Sequence, residues 1–323
     1  MGTVIKTEST FPSAGRYAPD MPPADIAVKT WADAANPPQA ILQLNHGMAE
    51  YIDRYDAFAR AVAERGWLVV GMDFIGHGDS APTPAELGYT GVALPDHRNV
   101  FIEDMHTLRQ RTQTEYPGVP YVMFAHSMGS FVLRAYLGLH GAGLAGAVIS
   151  GTGTMAPAMV GVAKALLAGI GLVHKPDYRS PFFAAMSVGA YNKPFAKTGA
   201  RTTCDWLSRD TEQVDKYVAD PRCGFLFSLA ADRLLIDALD RAGSASTFSG
   251  TPKDLPLLMI SGGSDPVGGM GVGVTQVADA YCKAGVNATL RLYADARHEL
   301  LNELNRAEVT ADLIDWLDAR VNR

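Results

Sequence analysis

A serine hydroxyl becomes a useful nucleophile only when a neighbouring base takes its proton, and the base needs an acid to orient it. The segment Tyr121–Val122–Met123–Phe124–Ala125–His126–Ser127–Met128–Gly129–Ser130 offers a candidate. Apolar residues precede Ser127 as in a buried strand, and Phe131–Val132–Leu133–Arg134–Ala135–Tyr136–Leu137 follows as the opening of a helix. Small residues stand two before and two after it, at Ala125 and Gly129. This is the layout of a nucleophile elbow, a sharp strand-to-helix turn that holds a serine clear of a sheet, with alanine where the first glycine is usual. Ala185–Met186–Ser187–Val188–Gly189 fits the same loose pattern. It lacks a preceding strand-like run, and Asn192–Lys193–Pro194 follows where a helix is required, so the context excludes Ser187.

In an elbow architecture the chain order is serine, acid, histidine. Eight histidines are present, at 46, 77, 97, 106, 126, 140, 174 and 298. His140 and His174 follow the serine with no strand-end carboxylate between, and His126, next to Ser127 on a strand, is expected to face the opposite way and pack beneath the elbow. His298 remains, just past a strand and before the last helix. For the acid, Asp265 ends Leu257–Leu258–Met259–Ile260–Ser261–Gly262–Gly263–Ser264–Asp265, with Pro266 preventing the sheet from continuing. Asp254 precedes that strand, Asp279 is on a helix, and Asp295 is too near His298 in sequence. The alternative for Asp265 is an ordinary turn aspartate. Two backbone donors complete an acyl-transfer site: the amide of Met128, and that of Met48 in His46–Gly47–Met48 after the first central strand. The alternative there is a plain strand-to-helix turn.

These residues need strand ends to carry them. Residues 3–9 and 25–32 read as an antiparallel entry, with Pro22–Pro23 as the turn. Strands follow at 39–45 and 67–72, separated by a helix from Tyr51 to a closing Gly66. Phe101, Met105 and Leu108 mark a helix that Pro117–Gly118 stops. The elbow strand and a strand at 145–150 come next, then 255–261, a helix over 274–284, and a strand at 288–293. The final helix presents Val309, Leu313, Trp316, Leu317 and Val321 on one face, its start capped by Asn305 and Glu308. Such alternation predicts a parallel sheet with helices on both faces, binding its ligand at the strands' carboxyl ends. From about 152 to 250 the alternation breaks into short helical pieces.

Composition narrows the function. The chain has 323 residues, 47% of them apolar and 19% charged, as in a globular protein with a full core. A net charge of −6 without a basic tract or aromatic-basic stripe excludes nucleic acid as the expected partner. The start, Met1–Gly2–Thr3–Val4, lacks the pattern of a secretory signal, and three spaced cysteines (Cys204, Cys223, Cys282) read as reduced thiols of a cytoplasmic protein, a Cys204–Cys223 bridge being the alternative. No cofactor is expected. His77 and Asp79 lack a third metal ligand, and Gly268–Gly269–Met270–Gly271–Val272–Gly273, without the G-x-G-x-x-G order, reads as a mobile loop beside the acid. Met155 to Val173 is nearly long enough to span a membrane, but Pro157, Gly161, Gly169 and Gly171 make a buried or interfacial helix the expectation.

The blocks His46–Gly47–Met48–Ala49–Glu50, Asp73 to Ser80, His126–Ser127–Met128–Gly129, Ser264–Asp265–Pro266 and Tyr293 through Asn302–Glu303 to Trp316–Leu317 resemble the monoacylglycerol lipase and lysophospholipase-like branch of the α/β-hydrolases. The resemblance implies an α/β-hydrolase fold, a mostly parallel sheet with helices on both faces and an inserted helical cap. Residues 1–151 and 251–323 would form the core and 152–250 the cap. It implies a serine esterase with Ser127, Asp265 and His298 as the triad and Met48 and Met128 as oxyanion donors, and places Glu50 and Arg54 near an alcohol-side pocket. The implied substrate is a small lipid-like monoester. Other readings are an aminopeptidase-like enzyme, with Asp205, Asp210 or Asp220 facing the site to take a free amino terminus, and a non-catalytic small-molecule binder on the same fold. For the apolar helix of Met159, Val160, Val162, Ala163, Leu166, Leu167 and Ile170 two roles stand open: packing on the core, or lining an acyl channel and transiently touching membrane or lipid aggregates. Substrate-contacting residues and oligomeric state are not legible.

Overall fold

Eight strands form one sheet in the order β1-β2-β4-β3-β5-β6-β7-β8. The computed structural model describes residues 3–196 and 199–321, so Met1 and Gly2 of the expected start and the last two residues of the expected core lie outside it. The entry pair is β1 (Val4–Pro12) and β2 (Asp25–Asp33), antiparallel throughout, and β2 also runs antiparallel to β4 (Trp67–Met72). The strands β3 (Ala40–Asn45), β4, β5 (Tyr121–His126), β6 (Gly146–Ser150), β7 (Leu257–Gly262) and β8 (Ala288–Tyr293) are parallel. Every residue of β3 to β7 is buried, which explains their unbroken apolar runs.

Helices cover both faces. Between β3 and β4 lies α1 (Asp56–Ala63), ended by a turn that Gly66 closes at φ +82°. After β4 comes α2 (Val100–Glu115), capped by the Asn99 side chain, and after β5 comes α3 (Met128–His140). Between β6 and β7 the chain is helical: α4 (Pro157–Ile170), α5 (Pro181–Met186), α6 (Lys193–Ala196), α7 (Thr211–Ala219), α8 (Leu229–Ala242) and α9 (Ala245–Gly250). The last two are α10 (Val272–Lys283) and α11 (Arg306–Val321). The period-2 geometry of a strand divides the core. Tyr121, Met123 and Ala125 of β5 join Phe101, Met105, Val132 and Val277 on one face, while Val122 and Phe124 join Phe58, Val62, Val309, Leu313 and Leu317 on the other. The predicted inner face of the last helix is the one buried, with Trp316 and Val321 packed at its edge.

The parallel order reverses at β3, whose two neighbours, β4 and β5, are reached by connections on opposite sides. Ligands of open α/β sheets bind at such a switch point. The carboxyl ends of β3, β5, β7 and β8 carry, in turn, His46–Met48, Ser127, Asp265 and His298.

Candidate active site

Ser127 stands between β5 and α3 at φ 51° and ψ −119°, a conformation an L-residue holds only under strain of about 1–3 kcal/mol. Hydrogen bonds hold it there: its amide donates to the Ser150 carbonyl at 2.9 Å, and its carbonyl accepts from the Ser130 hydroxyl at 2.6 Å. The neighbouring small residues are sterically required. A Cβ on Gly129 would come within 2.5 Å of the His46 carbonyl oxygen, and Ala125 is fully enclosed. Met128 is the first residue of α3, where amides lack intrahelical acceptors.

The second predicted donor, Met48, sits in a loop fixed from three sides. His46 is buried, its Nε2 accepting from the Phe74 amide at 3.0 Å and its Nδ1 donating to the Gly47 carbonyl at 2.7 Å. Burial lowers its pKa to about 4, so the ring stays neutral. Glu50 accepts the Gly47 amide at 2.6 Å and the Tyr55 hydroxyl at 2.9 Å on the same oxygen. The Tyr217 hydroxyl, from α7, reaches the Ala49 carbonyl at 3.1 Å. Gly47 must be glycine, since a Cβ would meet Glu50 Oε1 at 2.6 Å and Ser127 Cβ at 3.1 Å.

Arg54 holds the loop's anchor. Its guanidinium binds Glu50 Oε2 at 2.6 Å and both oxygens of Glu299 at 2.7 Å, with its plane near the Tyr217 ring. Burial opposes the charge on Glu299, but Arg54 outweighs it and holds that carboxyl well below the usual range. Glu50 is among the residues lining the cavity with Ser127, whereas Arg54 lines a separate small crevice with Tyr55, Phe124 and His126. Sequence reasoning missed Glu299. Its signal was its position next to His298 and the need of a buried arginine for a second carboxylate.

Asp265 and His298 meet at 3.0 Å, Oδ2 to Nδ1, both buried. Asp265 is itself oriented by the Val267 amide at 2.9 Å. Burial disfavours the imidazolium, but the field and hydrogen bond of Asp265, aided by Glu299 and Glu50, more than offset it, and the pKa of His298 is raised. The opposite nitrogen, Nε2, is buried with no hydrogen-bond partner among the described residues.

His126, the last residue of β5, packs beneath the elbow in a crevice with Tyr55 and Phe124, its Nδ1 3.4 Å from Ser150 Oγ. Its ring also lies against that of His298, centroids 4.5 Å apart, a contact the sequence did not reveal. Burial, with His298 beside it, lowers its pKa to about 3, so it adds no charge next to His298.

The segment between β6 and β7 roofs these residues. The Trp206 ring lies tilted against that of His298, centroids 4.9 Å apart, the Glu299 amide donates to the Leu207 carbonyl at 2.7 Å, and Arg297 reaches the Asp205 and Ser208 carbonyls. Beneath lies a cavity of about 410 Å³, lined by Ser127, Met48 and Glu50 and by an apolar wall that includes Phe131, Phe183, Phe227, Leu235, Ile236 and Leu239. The long apolar helix, α4, lines none of it. Val160 and Leu167 pack on Phe183, Leu229 and Ile236, while Met159 and Val162 turn outward. Its periodicity could not separate these faces, because both are apolar.

The other sequence candidates are engaged elsewhere. Asp205 accepts from the Arg201 amide, Asp210 pairs with Arg306 at 2.7 Å, and Asp220 accepts the Tyr51 hydroxyl at 2.5 Å; none of the three lines the cavity. The Ser187 hydroxyl bonds back to the Phe183 carbonyl. The three cysteines are free. The glycines around Met270 form a hydrogen-bonded turn into α10, Gly273 donating to Gly268 at 2.8 Å. No helix of the described residues is long and apolar enough to cross a membrane.

Known proteins are similar to this chain in sequence and fold. A monoacylglycerol lipase of Mycolicibacterium smegmatis is 28% identical over 300 residues, covering 90% of this chain and 92% of its own. A monoglyceride lipase of Homo sapiens is 26% identical over 88% of this chain and 83% of its own. The crystal structure of a highly thermostable carboxyl esterase from Bacillus coagulans superposes with a TM-score of 0.88 at 26% identity, covering 99% of each chain. The model of one hydrolase family matches residues 36–305, a span that starts before β3 and ends after the His298 loop. This chain therefore belongs to that family, described as Serine aminopeptidase, S33, and has the α/β-hydrolase fold.

Proposed function

We propose that this protein hydrolyses carboxylic esters of lipid-like monoesters through an acyl-enzyme on Ser127. The observation that carries the reading is the Asp265–His298 hydrogen bond, with the far nitrogen of the ring unpartnered, beside an apolar cavity that Ser127 lines. In the first step Ser127 Oγ attacks the ester carbonyl carbon and its proton passes to His298 Nε2. Asp265 holds the ring in the Nδ1–H tautomer and stabilises the imidazolium. The amides of Met48 and Met128 take the negative charge that develops on the carbonyl oxygen. Collapse breaks the ester C–O bond, and His298 returns the proton to the departing alcohol. Water then repeats the sequence on the acyl-enzyme and releases the acid.

The relatives named as lipases and esterases support an ester of this class. The apolar wall supports an acyl chain in the cavity, with residues 152–250 as the cap that encloses it. Outward-facing Met159 and Val162, with Leu172 and Val173 just beyond α4, support transient contact of that cap with lipid aggregates. A fluorophosphonate probe tests the mechanism: it should label the wild-type protein and fail to label Ser127→Ala. Labelling that persists in the variant would refute the assignment, and absence of labelling in both would favour a non-catalytic binder.

The family's description favours a second reading, a peptidase. Recognition of a free amino terminus calls for an uncompensated carboxylate near the scissile bond. Asp205, Asp210 and Asp220 are committed to other partners, and Arg54 compensates Glu50 and Glu299. The one cavity carboxylate left without a partner among the described residues, Asp232, stands in the apolar wall with Leu235, Ile236 and Leu239. Turnover of aminoacyl amides matching that of monoacylglycerols would restore it.

A further inference from the structure

One carboxylate in the cavity has no task in this chemistry. Asp232 stands in the first turn of α8, and its side chain is among the cavity's lining. The residue is 6% exposed, yet its carboxyl makes no hydrogen bond or ion pair with any described residue. Leu235, Ile236 and Leu239 follow it at i+3, i+4 and i+7, the spacing of one helix face, and all three also line the cavity. An acid therefore interrupts an otherwise apolar wall. Burial alone pushes its carboxyl up to about 7, with no charged neighbour acting on it. The backbone gives it a local reason to be ionised, because a helix N-terminus favours negative charge. That does not account for an unpartnered group directed at a space that substrate fills.

We propose that Asp232 forms a polar subsite in the acyl pocket, selecting acyl chains that carry a hydroxyl group over unsubstituted chains of the same length. An apolar chain filling the cavity would strip water from the carboxyl and give nothing in return, a loss that a hydroxyl donating to it avoids. Sites that hydrogen-bond a substrate hydroxyl discriminate strongly against analogues lacking it, because their own polar group is left bare. An ammonium group is the poorer match. It would bring a second desolvated charge into an apolar wall with one carboxylate to meet it.

This inference rests on the ester-hydrolase reading, so the experiment reports on the two separately. Esters of one alcohol with dodecanoate, a positional series of hydroxydodecanoates, and aminododecanoates are assayed for kcat/KM with the wild type, Asp232→Leu and Asp232→Asn. Turnover of plain dodecanoate and labelling of Ser127 report on the hydrolase reading. The ratio of hydroxylated to plain substrate reports on Asp232. At one or more positions that ratio should be about tenfold higher in the wild type than in Asp232→Leu, the size expected for a hydrogen bond to a charged group. Asp232→Leu should cleave the plain ester at least as fast as the wild type, and Asp232→Asn, which still accepts a hydrogen bond, should keep part of the preference. Both variants should melt no lower than the wild type, since the carboxylate they replace is uncompensated. Equal ratios in the wild type and Asp232→Leu at every position would overturn the proposal. So would a preference for the aminododecanoates without one for the hydroxydodecanoates.

Discussion

Replacing Arg54 with methionine removes the cation between two buried carboxylates and keeps most of the side chain's volume. The side chains of Arg54, Glu50 and Glu299 are 11%, 4% and 6% exposed, so solvent cannot take over the lost charge. Breaking a buried pair from one side costs about 3–5 kcal/mol. With an unfolding entropy of about 2.1 cal/mol/K per residue, 323 residues translate each kcal/mol into about 1.5 °C, so Tm should fall by about 4–7 °C at neutral pH. The pH dependence distinguishes this from simple loss of packing. In the wild type the depressed pKa of Glu299 contributes stability above the unfolded carboxylate value of about 4.3, and that contribution is lost as pH falls toward its folded value. In Arg54→Met Glu299 loses its cation and burial then raises its folded value above the unfolded one, so the variant loses stability as pH increases. The gap in Tm between the two proteins should be widest near pH 8 and close as pH approaches 5. Since Glu50 also anchors the Gly47 amide, kcat/KM on a short soluble ester should fall about ten- to a hundredfold as the Met48 amide loses its position, short of the full loss of an oxyanion donor. Scanning calorimetry across pH and a nitrophenyl-ester assay measure both effects. A gap independent of pH, or full activity in a destabilised variant, would refute the reasoning. Adding Glu50→Gln and Glu299→Gln should recover much of the stability.

Asp265→Asn should leave the fold intact and lower kcat by about 10³- to 10⁴-fold, because the amide no longer fixes the productive tautomer of His298. Since the base must be neutral and its pKa is raised, the wild-type acid limb of kcat/KM should lie above the ordinary histidine value of about 6.5. It should move to lower pH in Asp265→Asn; a limb that stays in place would show that another group controls it. Leu239→Trp, on the cavity wall, should shift preference toward shorter acyl chains, whereas Val162→Ser, outward on α4, should leave the profile for soluble esters unchanged. A chain-length series checks both, and the reverse pattern would make α4 the channel wall after all.

Much of this site could be read from residue order alone. The apolar runs into Ser127 and Asp265 require buried strands, because only a doubly covered parallel sheet accepts such segments without alternation. Their carboxyl ends then share one edge. Order along the chain removed every histidine but His298, and the geometry brings it to Asp265. What escaped the sequence is what depends on three-dimensional proximity. Glu299 meets Arg54 across 245 positions, and no local pattern records that distance. Strand alternation placed His126 beneath the elbow, but its contact with the ring of His298, far along the chain, is tertiary and leaves no mark in the local sequence.

The sequence by itself determined the sheet, the elbow and the pairing of chemical types, because period and spacing are set by backbone geometry wherever the segment lies. Tertiary structure alone decided which residues between β6 and β7 face the cavity. An apolar helix such as α4 has no polar face to orient it, so its packing is settled by Phe183, Leu229 and Ile236, which come from other parts of the chain. The same packing turned Asp232 inward, where burial made an ordinary acidic residue of a helix into a feature of the pocket.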